Sequence, residues 1–197
     1  MPSWPDFMKN FDKRLECEEI DDFLDHLNTS VNRRIKKIEE EEKNLSPDKF
    51  ENPIDMDYYR DHLNEFIISL NATKSLGDEL SIIALYKKVE TQTVRVLKMK
   101  LPNMTSKRLS IYTQFCEALP FDVKTVDGFL SFNELRLINN SIKHEGKVSS
   151  DLAKEFPTWN EGAELPDLDL SFQRLLPGVK HYVADLVERL YARGITS

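Results

Sequence analysis

Apolar residues recur at steps of three and four along most of the chain, which is the spacing of one face of an α-helix. The first such stripe consists of Ile20, Phe23, Leu24, Leu27, Val31, Ile35 and Ile38. It predicts a long helix that continues into the polar run 39–43 as a solvated extension. Ser46-Pro47 and Asn52-Pro53 then indicate a connection, because the residue before a proline disfavours helix.

The middle of the chain predicts three more helices. A second stripe consists of Met56, Tyr59, Leu63, Phe66, Ile67 and Leu70. A third helix is predicted to start near Asp78, an N-cap after Gly77, and to end at Pro102-Asn103. It is apolar on more than one side, so we expect it at the centre of a bundle. A fourth helix is predicted over 106–119, with Thr105 or Ser106 as its cap.

The C-terminal part begins with a turn at Asp127-Gly128. A fifth helix is predicted over about 131–145, because Gly146 stands where helices commonly end. Residues 147–167 read as a loop region with one short helix, 150–156. The last helix carries apolar residues from Phe172 to Tyr191; Pro177-Gly178 is expected to start, kink or interrupt it, and Gly194 to close it.

These patterns predict an all-α protein: a single domain over 1–197, with an acidic helical region at 1–50 and a bundle at 55–195. Only 6 glycines and a charged fraction of 31% fit helices with solvated faces. No apolar run reaches the ~18 residues that a membrane span requires. The first residues contain no apolar leader, and Cys17 and Cys116 stand alone. We therefore expect a cytoplasmic protein with reduced thiols and no membrane partner.

The net charge of -7 conceals one basic sector. From position 87 to 108 a single acidic residue, Glu90, accompanies Lys87, Lys88, Arg95, Lys98, Lys100, Lys107 and Arg108. One interpretation is a solvated helix face. The other is a footprint for phosphate groups, which requires a reactive group nearby.

Several kinds of chemistry lack support in the sequence. The glycine-rich phosphate loops and the GxSxG element are absent. No histidine has an acidic residue three positions before it, which excludes the Glu-x-x-His pairs of di-iron bundles. The pairs Asp22/His26 and His62/Glu65 fit surface hydrogen bonds better than metal ligands. We expect neither a metal nor a cofactor.

The segment 134–146 carries the candidate chemistry. Leu135, Ile138 and Ile142 form a core stripe, whereas Arg136, Asn140 and His144 form a neighbouring polar stripe at steps of four. A cation, an amide and an imidazole along one side of a helix can bind a phosphate and transfer a proton. The structural alternative is that His144 caps the last turn, while Asn140 packs and Arg136 is a surface charge.

The order of these elements over 56–195 resembles the HEPN superfamily of helical bundles. The Asn-x-x-x-His element of that family matches Asn140 and His144, and Glu90 falls where related proteins often keep an acidic residue on the central helix. The arginine that usually precedes the asparagine is Asn139 here. Arg136, eight residues before His144, is the nearest replacement.

The resemblance implies an up-and-down bundle with long N-terminal and C-terminal helices, dimerisation and metal-independent cleavage of RNA, as in toxins and phage-defence effectors. It implies that His144 moves a proton while Arg136 stabilises charge, with Asn140 beside them and Glu90 and Asn139 in support. Candidate contacts to the RNA backbone are Lys87, Lys88, Arg95, Lys143 and Lys147.

Two other functions stay open at this point. One is a catalytically degenerate HEPN-like module for dimerisation, nucleotide binding or regulation. The other is a helical scaffold whose acidic N-terminal helix binds a basic partner. A partner such as an antitoxin or another defence protein fits the ribonuclease. A homodimer fits both the ribonuclease and the degenerate HEPN-like module.

Overall fold

A computed structural model describes residues 3–100, 105, 109, 111–144 and 146–192 of the chain. These residues form seven α-helices and no β-strand, which confirms the all-α prediction. The helices are α1 (Trp4–Asp12), α2 (Glu18–Lys43), α3 (Pro53–Lys100), α4 (Tyr112–Ala118), α5 (Phe129–His144), α6 (Ser150–Glu155) and α7 (Leu168–Ala192). None of these helices combines the length and the apolar character that crossing a bilayer demands.

The described chain divides into two compact units. Glu18–Ser81 forms one, and Met1–Cys17 with Ile82–Ser197 forms the other. In the first unit the predicted stripes are buried at Ile20 and Val31 of α2 and at Leu63 and Leu70 of α3. The predicted connection between the two helices is also present, as a short 3-10 turn over Pro47–Lys49.

The predicted break at Gly77 and Asp78 is wrong. The second and third predicted helices are one helix, α3, and Asp78 lies in its interior. A glycine inside a helix costs about 1 kcal/mol relative to alanine. Here it makes room for Leu27, whose Cδ2 lies 2.1 Å from the position that a Cβ on residue 77 would take. Gly77 is therefore a packing glycine.

The second unit has its core between α5 and α7. Leu135 and Ile138 of α5 are fully buried, as is Val179 of α7. The ring of Phe132 on α5 stacks on Tyr182 of α7, with centroids 4.1 Å apart and 3° between the planes. These contacts hold α5, which carries the predicted site, rigidly against the last helix.

Close backbone contact sets where α5 starts. Gly128 has φ +77°, and a Cβ there would lie 2.2 Å from the carbonyl oxygen of Gly178 on α7. The predicted turn at Asp127-Gly128 is confirmed, and α5 begins directly after it. The helix ends at His144, before Gly146 with φ +65°, as predicted.

Two other predicted boundaries are described only in part. The helix predicted over 106–119 is described as α4, which has Ile111 as its N-cap; Ser106, Lys107 and Arg108 lie outside the described residues. The last helix runs through Pro177 without interruption. Pro102-Asn103, Glu145 and Gly194 are also outside the described residues.

Candidate nucleic-acid interface

The position of α5 is fixed by the buried carboxylate of Glu134 on its inner side. Glu134 is 6% exposed and accepts hydrogen bonds from Arg174 Nη2 at 2.7 Å, Arg174 Nη1 at 2.9 Å and Trp159 Nε1 at 2.9 Å. Bidentate pairing of this kind fixes geometry as well as charge. It joins α5 to α7 and to the loop after α6, and leaves the opposite side of α5 for the polar stripe. No local pattern predicts these hydrogen bonds, because Trp159 and Arg174 are 25 and 40 positions from Glu134 in the chain.

The polar stripe of α5 consists of Arg136, Asn140, Lys143 and His144, and we call it the α5 polar face. Two tyrosines of other helices, Tyr86 and Tyr112, lie beside it. The structure therefore adds aromatic rings to a set of residues that the sequence presented as purely polar.

Arg136 lies against one of these tyrosines. Its guanidinium carbon is 4.1 Å from the centre of the Tyr112 ring. Its Nη2 and Nε donate to Asn133 Oδ1 at 2.8 and 3.2 Å. Because Asn133 precedes Arg136 by one turn, the guanidinium points towards the start of α5. His144 lies two turns in the other direction, about 12 Å along the helix axis.

The two asparagines occupy different environments. Asn139 is 1% exposed, and its Oδ1 has no hydrogen-bond partner among the described residues. Its Nδ2 donates to Asn140 Oδ1 at 3.5 Å, and Asn140 is half-buried. The position that carries an arginine in the HEPN motif thus points into the interior of this protein, where a cation would need a buried partner.

His144 is exposed at the last position of α5. It forms no hydrogen bond or ion pair within the described part of the chain. The adjacent Lys143 is also exposed, and its Nζ is 5.8 Å from the centre of the Tyr86 ring. Lys147 is exposed beyond Gly146, and its backbone pairs with that of Glu164 in a single β-bridge. The end of α5 therefore presents an accessible imidazole between cations.

Glu90 lies beside Phe132, near the start of α5, in a group of residues that does not include His144. Its carboxylate accepts a hydrogen bond from Lys87 Nζ at 2.8 Å. It also lines a cavity of about 20 Å³ together with Tyr86, Tyr112 and Phe132, which is room for a single water molecule. In this chain, Glu90 belongs to the tyrosine cluster beside Arg136.

Burial raises the pKa of the tyrosines of this cluster further above neutral pH. Burial raises the pKa of Tyr112 to about 12, an effect that Arg136 partly opposes. Burial, followed by the charge of Glu90, raises the pKa of Tyr86. Burial likewise raises the pKa of the Cys116 thiol. At neutral pH these groups donate hydrogen bonds and do not act as bases, which leaves His144 as the exposed acid–base group of the α5 polar face.

Three predicted RNA contacts converge elsewhere. Lys87, Lys88 and Arg95 of α3 line a cavity of about 320 Å³, and Arg14 joins them from the segment after α1. Arg14 was missed because it belongs to the acidic N-terminal region, where a single arginine carries no pattern. Lys143 and Lys147 do not line this cavity. The predicted RNA contacts are thus divided between this cavity and the end of α5.

Comparison of the chain with protein-family models, with curated proteins and with solved structures finds no match. Within the described residues, no three histidine, cysteine or acidic side chains gather into a metal-binding group. The HEPN resemblance therefore depends on the residues of the α5 polar face and on the order of the helices.

Proposed function

We propose that this protein is a HEPN-type endoribonuclease that cleaves RNA without a metal and works as a homodimer, in the manner of a toxin or a phage-defence effector. The observation that supports this most strongly is the exposed imidazole of His144 at the end of α5, one turn after Asn140 and next to Lys143. Histidine is the side chain that most often serves as a general acid or base.

In the proposed reaction, a ribose 2′-oxygen forms a bond to the adjacent phosphorus and the bond from phosphorus to the 5′-oxygen breaks. The 2′-hydroxyl loses its proton and the leaving 5′-oxygen gains one. The products are a 2′,3′-cyclic phosphate and a 5′-hydroxyl end. His144 moves the proton, and a nearby cation stabilises the charge that develops on the phosphate oxygens.

In the proposed homodimer, a second copy of the chain supplies the arginine that one copy does not place next to His144. Arg136 points away from His144 and lies about 12 Å from it along α5. When two α5 helices face each other, Arg136 of one protomer can approach His144 of the other. Lys143 is the cation that one chain itself places next to the imidazole.

The test is cleavage of end-labelled RNA by the purified protein in EDTA. We expect cyclic-phosphate ends with the wild type and their loss in His144→Ala. The matched control is His181→Ala, which removes another exposed imidazole on α7 and should cleave as the wild type does. Equal cleavage by wild type and His144→Ala in repeated preparations would contradict the proposal, as would cleavage that EDTA abolishes.

A second candidate is a HEPN-like module that binds RNA or nucleotide without cleaving it. The observation that favours it is the engagement of Arg136 by Asn133 and Tyr112, together with the burial of Asn139. Under this function, wild type and His144→Ala bind RNA equally and both leave it intact. The same experiment, read for binding as well as cleavage, separates the two functions.

A further inference from the structure

The short helix α1 presents a stripe of aromatic rings to solvent. Trp4, Phe7 and Phe11 are 72%, 52% and 49% exposed. Their spacing of three and four places them on one face. The rings of Trp4 and Phe7 already stack, with centroids 5.5 Å apart and 22° between the planes. Contiguous exposed apolar groups of this kind mark interaction sites.

The opposite side of α1 fixes the orientation of that stripe. Asp12 is fully buried and accepts hydrogen bonds at 2.7 Å from both Arg95 Nη2 and the hydroxyl of Tyr191. Lys9 and Lys13 pair with Glu188 on α7 at 3.1 and 2.8 Å. The aromatic rings therefore face outwards because the polar face of α1 is anchored on the protein.

Phe11 connects the stripe to the basic cavity. It forms one wall of the 320 Å³ space, with Leu15, Thr91 and Gln92 nearby. Ligand sites generally have volumes of about 300–1,000 Å³, so this one is of a size for a single small unit. The guanidinium of Arg95 lies 5.5 Å from the centre of the Phe11 ring. An aromatic surface and cations thus meet at the mouth of one cavity.

The charge of the cavity favours an anion. Four cationic side chains line it, namely Arg14, Lys87, Lys88 and Arg95, and the acidic one is Glu16. Lys87 is paired with Glu90 and Arg95 with Asp12, so the positive charge that the cavity offers a ligand comes mainly from Arg14 and Lys88. Lys88 Nζ donates to the main-chain oxygen of Glu16 at 2.6 Å. Arg14 is exposed and forms no ion pair among the described residues. Its guanidinium is available to a phosphate without breaking a bond of the protein.

We infer that the cavity and the aromatic stripe of α1 together bind single-stranded RNA. One nucleotide occupies the cavity, with its base on Phe11 and its phosphate at Arg14, and the neighbouring bases stack on Phe7 and Trp4. Stacking rings beside a basic groove are the usual means of holding unpaired strands, whose base faces are free. The inference rests on the proposed action on RNA, but it concerns residues 4–14, outside the region that resembles HEPN proteins.

An anionic membrane is the other surface to which tryptophan, phenylalanine and basic residues bind. On such helices the cations extend along the polar face of the same helix. Here Lys9 of α1 and its C-cap Lys13 are paired with Glu188, and Lys87, Lys88 and Arg95 form a concave wall from α3. A concave wall suits a phosphate of a strand better than a flat lipid surface.

The experiment is fluorescence anisotropy of the full chain with a labelled 2′-O-methyl oligouridine, which lacks the attacking hydroxyl and stays intact. We expect Phe11→Ala to weaken binding roughly 5- to 150-fold, as for loss of one stacked base. We expect Arg14→Gln to make the slope of log affinity against log salt shallower by about 0.7, as for loss of one phosphate contact to a single strand. Lys180→Gln, an exposed lysine of α7, is the control and should change neither quantity.

Thermal melting by circular dichroism shows whether Phe11→Ala folds, and Arg14→Gln tests the same site without touching an apolar contact. The inference is overturned if neither variant changes binding, if a duplex binds as well as the single strand, or if the protein binds phosphatidylglycerol vesicles and not the oligonucleotide. Failure of the proposed function looks different: RNA stays intact while binding and its dependence on Phe11 persist. Cleavage with normal binding by both variants overturns the inference alone.

Discussion

The guanidinium of Arg136 lies 4.1 Å from the centre of the Tyr112 ring and donates two hydrogen bonds to the buried amide oxygen of Asn133. This arrangement decides what the arginine does in a single chain. It stabilises the start of α5 and leaves the other end of the helix to His144 and Lys143. The chemistry proposed for His144 therefore depends on Lys143 or on a second protomer for its cation.

Loss of the Arg136 side chain should destabilise the fold. Arg136→Gln removes the contact with Tyr112 and deprives Asn133, 6% exposed, of its donor. A buried acceptor without a partner costs roughly 1–3 kcal/mol, and a cation–π contact adds about 0.5–1 kcal/mol when exposed. Urea unfolding measures the change. A double-mutant cycle with Asn133→Ala should show that much of the loss is shared; fully additive effects would contradict the pairing.

Removal of the His144 imidazole should affect catalysis and spare stability. His144 is exposed and forms no hydrogen bond within the described residues, so His144→Ala should change the free energy of unfolding by less than about 0.5 kcal/mol. Loss of a general acid or base typically lowers the rate about 10²- to 10⁴-fold. Initial rates of cleavage in EDTA and a urea titration of the same preparation check both halves. A large loss of stability would instead assign His144 a structural role as a helix cap.

The arginines of the basic cavity should differ in their structural importance. Arg95→Leu leaves the fully buried carboxylate of Asp12 without its cation, which should cost roughly 1–3 kcal/mol. Arg14→Leu removes an exposed side chain and should stay within about 0.5 kcal/mol of the wild type. Denaturant midpoints of the two variants make the comparison directly. Equal effects would show that the pair between Arg95 and Asp12 contributes little.

Stability should fall at alkaline pH. The pKa values of Tyr112 and Tyr191 are raised to about 12 in the folded protein, mainly by burial, from an ordinary value of 10.0. A group whose pKa is raised on folding contributes stability that is fully present below its unfolded value and is lost as pH rises through the folded value. Urea midpoints should therefore fall as the pH rises from 10 towards 12. Tyr112→Phe should make this fall less steep, and an unchanged pH profile in that variant would contradict the assignment.

The turn before α5 should tolerate no side chain. Gly128 and Gly162 have similar positive φ values of +77° and +75°, but a Cβ meets backbone atoms at Gly128 and open space at Gly162. Both Gly→Ala variants carry the conformational strain of roughly 1–2 kcal/mol. Gly128→Ala should lose more, because the Cβ would lie 2.2 Å from the Gly178 oxygen. Melting temperatures of the pair isolate the clash, and equal values would refute it.

Local pattern was sufficient for several parts of the fold. The extent of α2 to Lys43 follows from an amphipathic stripe, its polar extension and a proline-containing connection, and the end of α5 follows from Gly146, whose positive φ suits glycine. The helix break predicted at Gly77 was wrong because a glycine can mark either the end of a helix or a close packing contact inside one. Leu27, 50 positions away in the chain, decides between them.

The candidate site shows the same division between local and distant information. Spacing by four residues placed Arg136, Asn140 and His144 on one side of a helix, and the structure has them on α5. The spacing could not predict that Arg136 points towards Tyr112, since these two residues come together only through packing of α4 beside α5. Nor could it bring Arg14 to the cavity of Lys87 and Lys88, more than 70 positions later.

The sequence by itself determined the helical class, several helix ends and the order of polar positions along α5, because these depend on propensities and periodicities within a few residues. Only the tertiary structure decided which cations share a cavity, which asparagine is buried and which aromatic rings face solvent. Those properties arise from contacts between residues far apart in the chain. Their geometry is fixed by packing and by buried pairs such as Arg95 with Asp12.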